Sequence, residues 1–478
     1  MRIETIDGPE NPLDVFLAIR HERLPFMLSG RDASGPGRGG LTYMGVNPFI
    51  TIRTEGLKTS MVRDDGKAGA ADDPFSALGP ILSSLRREEG PYQFSGGAVG
   101  YFAYDLKTLA LPRRAAPGTQ NIQARTGAIG LPEAIIGIYD PIIVFEHATR
   151  KTVIISSGTG TAIKRAGFLS QIIRRLPTKL HLQRQREGAH KGDATAAPAF
   201  RPASNMTREG YVERVERARR YMADGDVYQI NVAQRFETPF KGDPLALFAR
   251  LMDDAPMPYA AYMDFGRFQL ISNSPERLLS KRGPRVLTEP IKGTRPRGKT
   301  PEEDSALAGE LSKSPKEQAE HVMVVDLERN DLGQCSAAGS ISVDSFARIE
   351  TYPGLHHMVS TVSGRLKTGM DTAACLKKIF PGGSITGAPK LRAMEIIDEL
   401  EPTPREIYTG ALGWMDLSGS ADVAMAIRTA VAANGKLFLG VGSGIVADSV
   451  AEDEYDETLV KAAGFFDAVA ALSTKGKT

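Results

Sequence analysis

In the segment EPIKGTRPRG, residues 289–298, the amine of Lys292 stands between Ile291 and Gly293, with Arg295 and Arg297 close behind. The preceding RVLTEPI reads as a strand and Gly293 with Thr294 as a turn, so the lysine sits at the mouth of a strand with no helix to decorate. At an ordinary lysine pKa of about 10.4, roughly 0.04 % is free amine at pH 7, so a nucleophilic role requires that value to be lowered. Burial, the two arginines and a nearby metal act in that direction, and Glu289 acts against it. A structural ion pair fits the same residues.

Two glutamate pairs offer a second chemistry: Glu317 and Glu320 in SPKEQAEHVMVVD, and Glu454 and Glu457 in AEDEYDETLVKA. The i, i+3 spacing puts each pair on one helix face. Four carboxylates without a matching Cys or His cluster suit a hard cation such as Mg²⁺ if the two helices meet; taken singly, each pair also reads as a solvated face. The loop at 381–390 precedes a helix start, where free N–H groups favour an anion. GVGSG at 440–444 can bring backbone amides close to a ligand. Arg428 interrupts the apolar VAMAIRTAV, and Tyr408 lies in REIYTGALG; each can serve a carboxylate, a structural ion pair or the core.

The elements that must position these groups follow from periodicity. TREGYVERVERARRYMADGD begins with a Thr cap and a nearby Glu, which predicts a capping box and a helix ending at Gly225. VYQINVAQRFET alternates as a strand, a helix is expected over 313–330, and Pro389 opens a helix with an apolar stripe of Leu391, Met394, Ile397 and Leu400. Asn434-Gly435 predicts a tight hairpin, followed by a last helix from about 452 to 471. Long antiparallel strands interspersed with helices argue against a regular βαβ winding. Residues 183–207 are polar and rich in Ala, Pro and Gly, which divides the chain into an N-terminal subdomain (1–182), a linker (183–207) and a catalytic domain (208–478). The glycine-rich stretch at 29–40 reads as a surface loop.

The bulk composition narrows the partners. The 478 residues carry 59 Lys and Arg against 57 Asp and Glu, a near-balance that offers no footprint for nucleic acid or an anionic membrane. Cys335 and Cys375 cannot build a disulfide framework. The N-terminus lacks a basic and apolar leader, and no long apolar run follows, so a cytoplasmic, soluble protein acting on a small molecule is expected.

In chain order, NSPERLLS, EPIKGTRPRG, EHVMVVDLERNDLG, PGGSITGAPKLRAMEIIDELEP, YTGALGW and VGSGIVADSVAEDEYDET resemble the chorismate-utilising enzymes, which include the large subunits of anthranilate synthase and 4-amino-4-deoxychorismate synthase, isochorismate synthases and salicylate synthases. The resemblance covers most of 205–470, with a weaker echo at GGAVGYFAYD. It implies an α/β (α+β) body of the anthranilate synthase component I type, two packed antiparallel sheets surrounded by helices. It further implies that Glu320 and Glu457 hold Mg²⁺, with Glu317 and Glu454 supporting them. Tyr408, Arg428, Lys461, Thr294 and the amides of Gly442, Ser443 and Gly444 match substrate-binding positions. Glu276 matches the general acid that protonates the departing C4 hydroxyl of chorismate, and His357 the histidine near the ring.

Two positions divide that family. Isochorismate and salicylate synthases resemble one another in a lysine base for water where this chain has Gln229, which makes ammonia the expected nucleophile. Anthranilate synthases typically read PIAGT where this chain reads PIKGT; lysine there marks the aminodeoxychorismate synthase branch and makes Lys292 the expected nucleophile. Their LLES segment is also not evident. The chain has no Cys-His-Glu glutaminase pattern, so a separate class I glutamine amidotransferase subunit is implied as the ammonia source. An anthranilate synthase large subunit and a non-catalytic ligand sensor are the competing readings; a nucleotide loop is disfavoured because GGSITGAPK lacks the phosphate-loop spacing.

Overall fold

The computed structural model describes residues 1–7, 9–29, 40–111, 127–176 and 202–473. The interior of the glycine-rich stretch at 29–40 and residues 183–201 of the expected linker lie outside them. Two large sheets, antiparallel at every strand pair, form the frame. The first runs from Arg2–Ile6 through Lys151–Ser156, Ile142–Glu146, Leu41–Gly45, Phe26–Ser29, Tyr259–Asp264, Phe268–Ser274, Thr429–Ala433 and Lys436–Ile445 to Gln229–Pro239 and Ala203–Ser204. The second begins at Ile291–Pro296 and passes through Leu355–Arg365, Arg285–Glu289, Arg277–Arg282, Ala421–Met425 and Ala411–Asp416 to Gly97–Phe102, Ala134–Tyr139 and Ile50–Glu55. Strands from before residue 182 and after residue 207 stand side by side in both: Phe26–Ser29 pairs with Tyr259–Asp264, and Gly97–Phe102 with Ala411–Asp416.

Alternation along the strands supplies three apolar layers. Tyr43, Val144, Leu270 and Phe438 of the first sheet meet Val99, Tyr101, Leu412 and Trp414 of the second. The outer faces are covered by helices, through Phe16, Leu169, Phe248 and Phe465 on one side and Phe75, Val325, Leu376 and Met394 on the other. Each such side chain fully withdrawn from water contributes about 1.5–3 kcal/mol against the entropy of ordering it.

The hairpin turn is as expected, with Asn434 and Gly435 at φ 52° and 72°. Thr207 caps Arg208–Ala223 by accepting from the Gly210 N–H, but the third helical residue is that glycine, so no capping box closes. The helix expected over 313–330 is Pro315–Cys335, because Ser314 accepts the Glu317 N–H and ends the preceding helix Pro301–Lys313. Of the stripe after Pro389, Met394, Ile397 and Leu400 are buried and Leu391 is exposed, so the packed face begins one turn later. Among the described residues no helix is long and apolar enough to cross a membrane.

Candidate active site

A bulge aims Lys292. In the pairing of Ile291–Pro296 with Leu355–Arg365, Ile291 opposes Val359 and Thr294 opposes His357, so Lys292 and Gly293 share the space opposite Met358. An extra residue of this kind bends a strand and redirects a side chain. Gly293 adopts φ +92°, and a Cβ there would meet Leu311 at 2.9 Å and Glu317 at 3.0 Å. The turn expected at Gly293 and Thr294 is therefore a bulge inside a strand, since the ladder resumes at Thr294.

The Lys292 amine lies 2.8 Å from Glu320, with 19 % of its side chain exposed. Burial pulls its pKa down, but Glu320 foremost, then Glu457 and Glu454, hold it above the usual lysine value. The charged neighbours expected from sequence act elsewhere. Arg295 is held by Glu310 and Glu317, each at 3.0 Å, and Arg297 by Asp304 at 2.7 Å. Glu289 is taken by Arg277 at 2.6 Å and Arg348 at 2.8 Å. Each has a partner of its own, so the field on the amine comes from the helix carboxylates.

Those carboxylates come from two helices. Glu317 and Glu320 share a face of Pro315–Cys335, while Ala451–Ser473 carries Glu454, Glu457 and Lys461. Glu454 is buried and accepts from Ser449 at 2.6 Å and from Ser443. Glu457 is exposed and pairs with Lys461 at 2.5 Å, and Lys461 also donates to the Gly442 carbonyl at 2.9 Å. Among the described residues no three His, Cys, Asp or Glu side chains converge as a complete metal cage. Glu320 and Glu457 are hard oxygen donors of the kind Mg²⁺ takes, and each already faces a cation, Lys292 or Lys461.

Opposite lies a floor of glycines. Gly440, Gly442 and Gly444 alternate along Lys436–Ile445, and Cβ atoms there would strike the Tyr408 ring at 2.3 Å, Asn231 Oδ1 at 2.6 Å and Lys292 Nζ at 2.8 Å. Beyond Leu439 this strand keeps Gln229–Pro239 as a neighbour but no longer pairs with Thr429–Ala433, so one backbone edge opens. Gln229 brings Nε2 within 3.4 Å of the Cβ position at Gly444 that also abuts the amine. Its Oε1 and the Oδ1 of Asn231 are buried without a partner among the described residues.

Glu276 and Arg428 sit where the chain passes between sheets. Phe268–Ser274 belongs to the first sheet and Arg277–Arg282 to the second; Ala421–Met425 belongs to the second and Thr429–Ala433 to the first. The two links are tied by the Ser274 hydroxyl donating to the Met425 carbonyl (2.7 Å) and the Met425 N–H to the Glu276 carbonyl (3.0 Å). Glu276 is buried, and burial pushes its carboxyl up to about 7 against the Ser384 hydroxyl, the Ile291 N–H and Lys461. Arg428 takes φ +47°, is half-buried and has no carboxylate partner among the described residues; burial pushes its guanidinium down to about 10.

His357 is buried, and burial first, then Arg428, pushes its pKa down to about 3, so the imidazole is neutral. Its Nδ1 lies 2.9 Å from the hydroxyl of the exposed Thr294, and its Nε2 is buried without a partner among the described residues. Tyr408 is half-buried with its phenol over Gly442, and burial raises its pKa. The site thus joins an amine, a carboxyl that keeps its proton near neutral pH, an unpaired guanidinium and a neutral histidine.

The turn at 381–390, read from sequence either as an anion site or as a plain glycine-rich connection, meets the protein's own carboxyls. Ser384 donates its hydroxyl to Glu276 at 2.6 Å and its N–H to Glu328 at 3.3 Å, while Lys390 pairs with Asp331 at 2.5 Å. Sequence reasoning singled out neither Ser384 nor Asn231. Their signals were present: a serine within the glycine turn, and an amide two residues from Gln229 on the same strand face. A cavity of about 610 Å³ opens elsewhere, beside Tyr43, Tyr259, Arg348 and Trp414, and none of the candidate catalytic side chains lines it.

The chain belongs to the chorismate binding enzyme family, whose profile matches residues 26–467. It is 38 % identical to aminodeoxychorismate synthase component 1 of Bacillus subtilis over 89 % of this chain and 88 % of that one. It is 35 % identical to anthranilate synthase component 1 of Pseudomonas putida over 98 % and 94 %. Among solved structures, anthranilate synthase component I from Streptococcus pneumoniae aligns with a TM-score of 0.73 and 30 % identity, covering 91 % of this chain and 93 % of that one.

Proposed function

We propose that this protein aminates chorismate at C4, giving 4-amino-4-deoxychorismate for p-aminobenzoate and folate synthesis, with ammonia supplied by a class I glutamine amidotransferase partner in the cytoplasm. The observation that carries this reading is the Lys292 amine, raised out of its strand by the bulge and turned among the glutamates of both helices, with an amide, Gln229, rather than a second amine beside it.

Arg428, Lys461, Tyr408 and the open edge of the glycine strand bind the substrate carboxylates; the Arg428 guanidinium supplies a charge that no carboxylate among the described residues takes up. Lys292, as the free amine, adds at C2 as both ring double bonds shift and the C4–O bond breaks, and Glu276 gives its proton to the departing hydroxyl, which leaves as water. Ammonia then adds at C4, both ring double bonds return, the C2–N bond breaks to release Lys292 as the free amine, and the new C4 ammonium returns a proton to Glu276. The enolpyruvyl group stays on the ring, and the net change is hydroxyl to amine. Before attack Lys292 must lose its proton, which the Glu320 ion pair opposes. Mg²⁺ held by Glu320 and Glu457 would supply counter-charge there and an anchor for the ring carboxylate.

Chorismate, Mg²⁺ and ammonia at high pH replace the partner in a test. The expected product keeps its enolpyruvyl group; prompt stoichiometric pyruvate with fluorescent anthranilate overturns the assignment in favour of the anthranilate synthase reaction. With ammonia withheld, mass spectrometry should find a chorismate-derived adduct on Lys292, and Lys292→Ala should lose both adduct and C4 amination.

A further inference from the structure

Behind the general acid lies a second layer of buried acids. The inward face of Pro315–Cys335 carries His321, Val324, Val325, Leu332 and Cys335, but also the carboxyls Glu328 and Asp331. Asp331 is neutralised by Lys390, whose ammonium also donates to the carbonyls of Ile379 (3.1 Å) and Pro381 (2.7 Å). Glu328 makes no ion pair among the described residues and meets Lys390 only through charge. Burial foremost, then Asp331, pushes it well above the usual carboxylate range, as burial does Glu276.

The turn between these acids and Glu276 is restrained on several sides. The Thr386 hydroxyl donates to the Gly382 carbonyl at 2.9 Å, and Arg405 to the Ile385 carbonyl at 2.9 Å. A Cβ on Gly383 would stand 3.2 Å from Glu328 Oε1 and 3.4 Å from Asp331 Oδ2, so glycine lets the turn lie against both acids. Ser384 is thereby presented with its N–H on Glu328 and its hydroxyl on Glu276 Oε1.

We propose that Ser384 is a positioning residue for the general acid: by donating to Oε1 of Glu276 it makes that oxygen the carbonyl-like one and leaves Oε2 to carry the transferable proton. The proposal rests on the functional reading above, in which Glu276 protonates the leaving hydroxyl. A donor that fixes one oxygen of a carboxyl selects both its rotamer and its acidic edge, which is how a supporting shell holds a catalytic group within the tolerance that proton transfer needs. The remaining groups around Glu276 do not substitute for it. Lys461 acts through charge and is held by Glu457, Glu328 takes the Ser384 amide and the Thr288 hydroxyl, Tyr408 sits over the glycine strand, and the Ile291 N–H is fixed backbone.

Ser384→Ala removes a contact that favours the ionised carboxyl, so Glu276 keeps its proton to higher pH. If proton supply alone mattered, the variant would be as fast as wild type or faster. Positioning predicts the opposite: kcat for chorismate consumption falls about tenfold or more with KM within about twofold. The infrared carboxyl band of Glu276, assigned by its loss in Glu276→Gln, should titrate at higher pH in the unliganded variant, and Ser384→Thr, which keeps the hydroxyl, should restore both kcat and midpoint. Wild-type kcat together with an unmoved midpoint in Ser384→Ala overturns the proposal. If that variant does not fold, Ser384→Cys, similar in size with a weak donor, separates the same two outcomes by the same measurements. The infrared midpoint needs no turnover, so a protein that gives anthranilate instead of the C4 amine sinks the functional reading while leaving this contact separately tested.

Discussion

Glu289 and Lys292 are near neighbours in one segment, yet the side chains around them are disposed in opposite ways. Around Glu289 the charges are matched: Arg277 bridges it to Asp422, Arg348 bridges it to Glu350, the Thr361 hydroxyl donates to it at 3.1 Å, and Tyr352 closes on Glu350. Around Lys292 the matching stops. Arg428 lacks a carboxylate, the His357 Nε2, Gln229 Oε1 and Asn231 Oδ1 lack partners among the described residues, and Glu276 is buried without a cation of its own. Buried polar groups are ordinarily satisfied, so a concentration of unsatisfied ones is a binding surface drawn in negative. The matched cluster ties the sheet edge and lines the cavity of about 610 Å³, while the proposed site gathers the unpaired groups.

The sharpest way to break that contrast is to remove the proton of Glu276. Glu276→Gln should lower kcat by about 10²–10⁴-fold, the usual worth of a positioned general acid. In the wild type, kcat/KM should decline as the pH rises past about 7, where this carboxyl ionises. Stability follows the same group. The native state keeps a proton that the unfolded chain has already released between about pH 4.5 and 7, so this contribution is lost as the pH rises through that window. Glu276→Gln has no such proton to lose. In denaturant melts it should be more stable than wild type at pH 8, with the difference closing below about pH 4.5; a constant difference across that range contradicts the buried, protonated carboxyl.

Arg428 sharpens the comparison from the ligand side. A charge-assisted contact is worth about 1.5–3 kcal/mol, so Arg428→Met should lower kcat/KM by about 10- to 100-fold, chiefly through KM. Because no protein carboxylate is left behind, thermal unfolding should not worsen, and relief of a desolvated charge can raise it. Lower stability with unchanged KM would show that the guanidinium belongs to the structural cluster after all.

Much of this division was legible in the residues, through two different routes. Strand alternation and Asn434-Gly435 carried the sheets and the hairpin because those signals are local, and the glutamate spacing put each pair on one helix face for the same reason. The identity of each charge's partner was not local. Arg295 and Glu289 lie close to Lys292 in sequence, and only the path of the chain gives them to Glu310, Glu317, Arg277 and Arg348 instead. The bulge escaped for a similar reason: Gly293 signals a positive φ, but whether that makes a turn or an extra residue in a ladder depends on the strand opposite. Ser384 was hidden because its meaning lies in Glu276 and Glu328, both distant in sequence.

The smallest effect on turnover is expected in the matched cluster. Glu289→Gln keeps the size of the side chain and one acceptor oxygen but leaves Arg277 and Arg348 each short of a charge partner. With 19 % of the Glu289 side chain exposed, solvent screens part of that loss, and a stability cost of about 1–2 kcal/mol is expected. Since Asp422 and Glu350 still hold the two arginines, the strand edge should keep its register and the bulge should still aim Lys292. At a temperature where the variant is folded, kcat and KM should therefore stay within about twofold of wild type, as for substitutions remote from the chemistry. Should Glu289→Gln instead slow turnover as Glu276→Gln does, without a matching loss of stability, Glu289 would be acting on the Lys292 amine, and the separation of a structural cluster from a catalytic one would fail.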